Sequence, residues 1–204
     1  AALYFYLLGR ERGKHAFTMY VLSLLAFIFA VLSKPSAVVF PAILLLFEIC
    51  YQPEHLKKFL VWLMPFILLS GIAVFILMTV MHQAGGIKPY RGGTFCTNFL
   101  VSFYIILYYI KLCIATINFS AAYTIWLPEN PYSIWTIAAV LANLILFAWA
   151  IVKFKKRPLI PFLIFWFYIQ LLPYANIIPI STILADRYVF LASFAYTLPV
   201  GLFF

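Results

Sequence analysis

Residues 16–32, 59–81, 132–152 and 158–172 contain no charged side chain, and three of these four runs are long enough to cross the hydrocarbon core of a bilayer as helices. Backbone without water must satisfy its own hydrogen bonds, which leaves helices as the way to build these runs. Composition agrees: 67% of the 204 residues are hydrophobic and 9% charged, with a mean hydropathy of +1.08. So little polar surface cannot clothe a soluble globule. The expected fold is all-α, a polytopic transmembrane helical bundle over residues 1–204.

Both ends read as cut through apolar helices, Ala1-Ala2-Leu3 at one and Gly201-Leu202-Phe203-Phe204 at the other, so the sequence is expected to be a fragment of a longer protein. The formal charge of +9 does not point to nucleic acid. Its basic residues stand in short loops beside apolar spans, where they orient the chain by the positive-inside rule. Cys50, Cys96 and Cys113 lack metal-type spacing, and His15, His55 and His82 lie apart, so no metal cage is expected. Gly pairs at 85–86 and 92–93 precede no Lys-Ser/Thr, which disfavours ATP hydrolysis. Asn118-Phe119-Ser120 matches a glycosylation sequon, a pattern frequent by chance.

The basic loop at 9–15 and the loop at 48–58 are expected in the cytoplasm. Pro35 removes a donor and pushes Lys34 out of helical geometry, ending the span at 16–32 on the opposite side. The Gly-rich, basic loop at 82–98 follows there by parity. A simple crossing by residues 99–117 would then put Lys153, Lys155, Lys156 and Arg157 outside, against the positive-inside rule. Residues 99–117 are therefore expected to form an interfacial or re-entrant helix on the outer side. On this scheme Lys34, Lys88, Arg91, Asp186 and Arg187 share one side of the membrane.

Ala185-Asp186-Arg187-Tyr188 places an ion pair between apolar segments, a costly position that usually serves a ligand. Cations at a lipid–water boundary suit a lipid-linked phosphate, because guanidinium offers a planar fork matched to phosphate oxygens. Two readings of Asp186 stand: it holds the Arg187 guanidinium in place, or it is a structural partner. Lys34 is either a phosphate contact or a topology anchor. Pro173, Asn176 and Pro179 interrupt an apolar stretch, as backbone packed on protein or lining a cavity does.

The blocks Leu32-Ser33-Lys34-Pro35-Ser36-Ala37-Val38-Val39-Phe40-Pro41 with Glu48, Leu171-Leu172-Pro173-Tyr174-Ala175-Asn176-Ile177-Ile178-Pro179-Ile180, and Ala185-Asp186-Arg187-Tyr188-Val189-Phe190-Leu191 resemble the membrane part of the transmembrane and tetratricopeptide-repeat protein O-mannosyltransferases and their bacterial relatives. These belong to the GT-C superfamily. The resemblance implies an integral membrane glycosyltransferase that transfers a sugar, mannose in the animal proteins, from a polyprenyl-phosphate carrier to a protein or other acceptor on the non-cytoplasmic side. It implies that Arg187 contacts the carrier phosphate with Lys34 near it, Asp186 and Tyr188 supporting. Pro35 stands where that pattern usually has Glu. The acidic outer-loop residues of such enzymes, the base included, would fall upstream of Ala1, and the repeat domain downstream of Phe204. No catalytic residue is therefore assigned, and no cofactor is expected beyond the lipid-linked sugar phosphate. Expected partners are membrane lipid, that donor and the acceptor. Abundant Lys, Ile, Phe and Tyr favour a bacterial inner membrane over an endoplasmic reticulum. A transporter or flippase of lipid-linked precursors is the alternative, and it would show matching broken helices in two halves.

Overall fold

The computed structural model describes residues 1–11, 15–114, 120, 122–123, 125–128, 130 and 132–203, without the side chains of Arg10, Glu11, His55 and Phe203. The fold is all-α. Among the described residues, four helices are long and apolar enough to cross a membrane: Ala16–Ser33, Leu56–Gln83, Phe95–Ile114 and Ile134–Lys153. The chain is thus an integral membrane protein. Where the sequence suggests one bundle, the contacts group into two compact units, Ala1–Val80 and Met81–Phe204.

The first unit contains α1 (Ala2–Glu11), α2 (Ala16–Ser33), α3 (Phe40–Tyr51) and most of α4 (Leu56–Gln83). Tyr6, Phe27, Leu44, Phe59, Leu63 and Phe66 form its core. Phe27 stacks on Phe40 at 5.3 Å between centroids and leans on Phe66 at 5.6 Å. Pro35 acts as its chemistry requires: α2 stops at Ser33, Lys34 is extended (φ −145, ψ 110), and a 3₁₀ turn, Pro35–Val39, leads into α3.

The second unit contains α5 (Phe95–Ile114), α6 (Ile134–Lys153), α7 (Leu159–Leu171), the single turn α8 (Asp186–Val189) and α9 (Phe194–Phe203). α5 begins four residues before the sequence expectation of 99, because the Thr94 hydroxyl caps it by accepting from the Thr97 N–H at 3.2 Å. Ser133 caps α6 in the same way, accepting from the Thr136 N–H at 3.2 Å. The last expected span, 188–204, is broken. Its first turn ends at Val189, and Ser193 donates its hydroxyl to the Phe190 carbonyl at 2.8 Å, competing with the helix there.

α5 and α6 run in the same direction. Arg91 and Gly92, just ahead of α5, line one cavity with Asn130 and Ser133, just ahead of α6. Further along, the Phe103 carbonyl accepts from the Asn143 amide at 3.2 Å. α7 runs back against α6, with Phe147 stacked on Phe165 and Tyr168 donating to Asn143 Oδ1 at 2.6 Å. Two parallel neighbours require the chain between them to travel back beside α5. It does so: Tyr123 lies by Leu184, Trp126 meets Tyr104 edge-on at 6.5 Å, and Leu127 is buried with Val101 and Ile105. The geometry is that of a helix entering beside α6 with a return segment packed on it.

Candidate functional site

The site grows from the irregular stretch after α7. Asn176 has φ 58, a left-handed conformation that asparagine tolerates because its short amide bonds locally. Here the amide Nδ2 donates to the Ile183 carbonyl at 3.0 Å, and Oδ1 accepts from the Ile180 N–H at 3.3 Å, closing residues 176–183 into a loop. Asn98 on α5 then fastens that loop, its Nδ2 donating to the carbonyls of Asn176 at 2.7 Å and Ile177 at 3.0 Å. On the other side of the loop, the Lys88 N–H donates to the Pro179 carbonyl at 2.9 Å, and Ile87 pairs with Ile180 in an isolated antiparallel bridge. Asn98 and Asn176 are themselves buried, where an unmade hydrogen bond is costly.

Past this loop the chain reaches Asp186. Its two carboxylate oxygens go to the return segment: Oδ2 accepts from the Ser120 N–H at 2.6 Å and Oδ1 from the Tyr123 hydroxyl at 2.7 Å. The Tyr123 phenol is pushed above its ordinary pKa, first by desolvation and then by donating to the Asp186 carboxylate. Asp186 thus has the structural employment that was one of its two sequence readings.

Arg187 is exposed and sits on its own neighbour. Its guanidinium carbon is 5.1 Å from the Tyr188 ring centroid, and Nη2 donates to the Tyr188 hydroxyl at 3.3 Å. That hydrogen bond is the main reason its pKa moves further up. Tyr188 is itself held flat on Tyr174, centroids 4.0 Å apart and planes 11° apart. Beneath lies the fully buried Tyr109, whose hydroxyl donates to the Ile183 carbonyl at 3.4 Å. The second unit therefore brings together Asp186, Arg187, Tyr188, Tyr174 and Tyr109. Arg91 belongs to the N-terminal end of α5, while this cluster packs by Tyr109, about four helical turns further along.

Lys34 belongs to the first unit, where it is exposed at the break between α2 and Pro35, its N–H donating to the Ala30 carbonyl at 2.8 Å. The same unit encloses Glu48 completely, in a wall of a cavity of about 300 Å³ that Lys58, Tyr20 and Trp62 also line. Sequence reading placed Glu48 at the end of a block and at the start of the loop 48–58, whereas α3 continues through it to Tyr51. Its place inside a run of apolar residues in α3 was the available signal. Asn98, Tyr123 and Tyr174 were missed as partners of the site. Lone polar residues in apolar helices are a usable signal, as Asn98 illustrates, but nothing local marks Tyr123. The sequon at 118–120 falls on residues that, apart from Ser120, lie outside the described ones.

Comparison with family models, curated proteins and solved structures finds no match to this chain.

Proposed function

We propose that this chain is the membrane part of a polyprenyl-phosphate-sugar-dependent glycosyltransferase of the GT-C kind, in which Arg187 binds the carrier phosphate. The observation that carries the reading is the division of labour at 186–188. Asp186 gives both oxygens to the return segment, while the neighbouring guanidinium is held on Tyr188 at the surface of the unit. A fixed, exposed cation beside apolar helices suits a phosphate whose lipid tail lies in the membrane. Lys34, exposed at its helix break, is the second cation of the proposal. The bacterial inner membrane is the proposed location, on the abundance of Lys, Ile, Phe and Tyr.

In the transfer, the bond between the anomeric carbon and the phosphate oxygen breaks, its electron pair staying on the phosphate. A new bond forms from that carbon to the acceptor hydroxyl oxygen, whose proton passes to a carboxylate. Cations contribute by stabilising the charge that grows on the departing oxygen. Asp186 is unsuited to be the base, since both of its oxygens already accept. No residue is assigned that role.

The test is transfer of radiolabelled sugar from a defined polyprenyl-phosphate donor by the full-length protein in proteoliposomes. Arg187→Ala should lower transfer by about a hundredfold, the loss of a charge-assisted contact to a transition-state phosphate, with membrane insertion unchanged. Unchanged transfer removes Arg187 from the mechanism. Donor movement across the bilayer without transfer would establish a flippase instead.

A further inference from the structure

Arg91 stands in a setting of its own. Its Nε is buried and has no hydrogen-bond partner among the described residues, and burial lowers its pKa from the ordinary guanidinium value. Its main-chain N–H donates to Asn98 Oδ1 at 3.4 Å. Folded proteins leave few buried donors unpaired, and a charged one is the most expensive to leave so. Arg91 lines a cavity of about 590 Å³ with Gly92, Trp126, Asn130 and Ser133, large enough for a small organic ligand.

The rest of the lining has a matching character. Asn130 accepts from the Tyr132 N–H through Oδ1 at 2.9 Å, and its amide Nδ2 carries two further donors. α6 starts at this wall and turns the positive end of its backbone dipole toward the cavity. Trp126 is 64% exposed, its ring positioned edge-on against Tyr104. The described lining residues include donors and an aromatic face.

We propose that this cavity binds a phosphate group, with Arg91 and Asn130 donating to its oxygens and Trp126 packing on the molecule that carries it. The site is independent of Arg187, being built at the opposite end of α5. A soluble phosphate ester and a lipid headgroup offer the same chemistry, and the experiment separates them.

The full-length protein in nanodiscs is titrated with inorganic phosphate and with glycerol phosphate in phosphatidylcholine, and separately reconstituted with increasing phosphatidylglycerol. Tryptophan fluorescence is followed throughout. A saturable change is expected that disappears in Trp126→Phe and needs about tenfold more ligand in Arg91→Gln, the loss of one charge-assisted hydrogen bond. Saturation by the soluble compounds identifies a soluble ester, and a response to phosphatidylglycerol alone identifies a headgroup. The proposal is overturned if no phosphate compound saturates the signal or if Arg91→Gln titrates like the parent. Should Arg91→Gln fail to fold, maleimide labelling of Asn130→Cys, with Cys96 replaced by Ser, decides with Arg91 in place. The same ligands should slow that labelling, and an unchanged rate rejects the site. No sugar transfer is read, so this outcome and that of the glycosyltransferase assay are separate.

Discussion

At the scale of single residues, Asp186 does the most for the second unit, since one carboxylate orders two points of the return segment. Asp186→Ala removes the charged acceptor of the Tyr123 hydroxyl and leaves the Ser120 N–H on the Tyr123 oxygen, at 3.1 Å. It should destabilise the unit by about 2 kcal/mol, the cost of losing a charged acceptor, read as a lower midpoint of thermal unfolding in detergent. Tyr123 adds a pH dependence. Its folded pKa lies above the unfolded value of about 10. Stability from its proton is complete below that unfolded value and is lost as pH rises through the folded one. Alkaline unfolding should therefore lose one component in Tyr123→Phe, and identical alkaline profiles would refute the assignment. Asp186 and Arg187 were legible in the sequence as a charged pair set in apolar surroundings. Which way Asp186 faces was not, because its partners are 63 and 66 residues away and carry no local signature.

At the scale of elements, the apolar runs marked the helices to within a few residues, and Pro35 marked the break that exposes Lys34. Directions were less legible. Hydropathy gives α5 a length and a register but no sense of travel. It was charge at 153–157 that argued against a simple crossing, and the parallel pairing of α5 with α6 agrees with that argument. Cysteine labelling with an impermeant reagent should therefore reach position 88 and position 130 from one face of the membrane and position 156 from the other. Labelling of 130 and 156 from the same face would dismantle the arrangement. The break between α8 and α9 had no warning in hydropathy, because Ser193 acts through one hydrogen bond to Phe190 and leaves the run apolar.

At the scale of the whole molecule, sequence reading gathers Lys34, Lys88, Arg91, Asp186 and Arg187 on one side, whereas the structure assigns Lys34 to one compact unit and the others to the second. One further consequence concerns biogenesis. Tyr123 donates its N–H to Leu184, and Ser120 donates its own to Asp186, so the segment returning beside α5 waits for residues made some sixty positions later. A helix satisfies its backbone as it leaves the ribosome, but this non-helical stretch does not. Until Leu184 emerges the Tyr123 N–H lacks the acceptor it has in the folded unit, so the described residues of the return segment can take up their final hydrogen bonds only after α7 has been made.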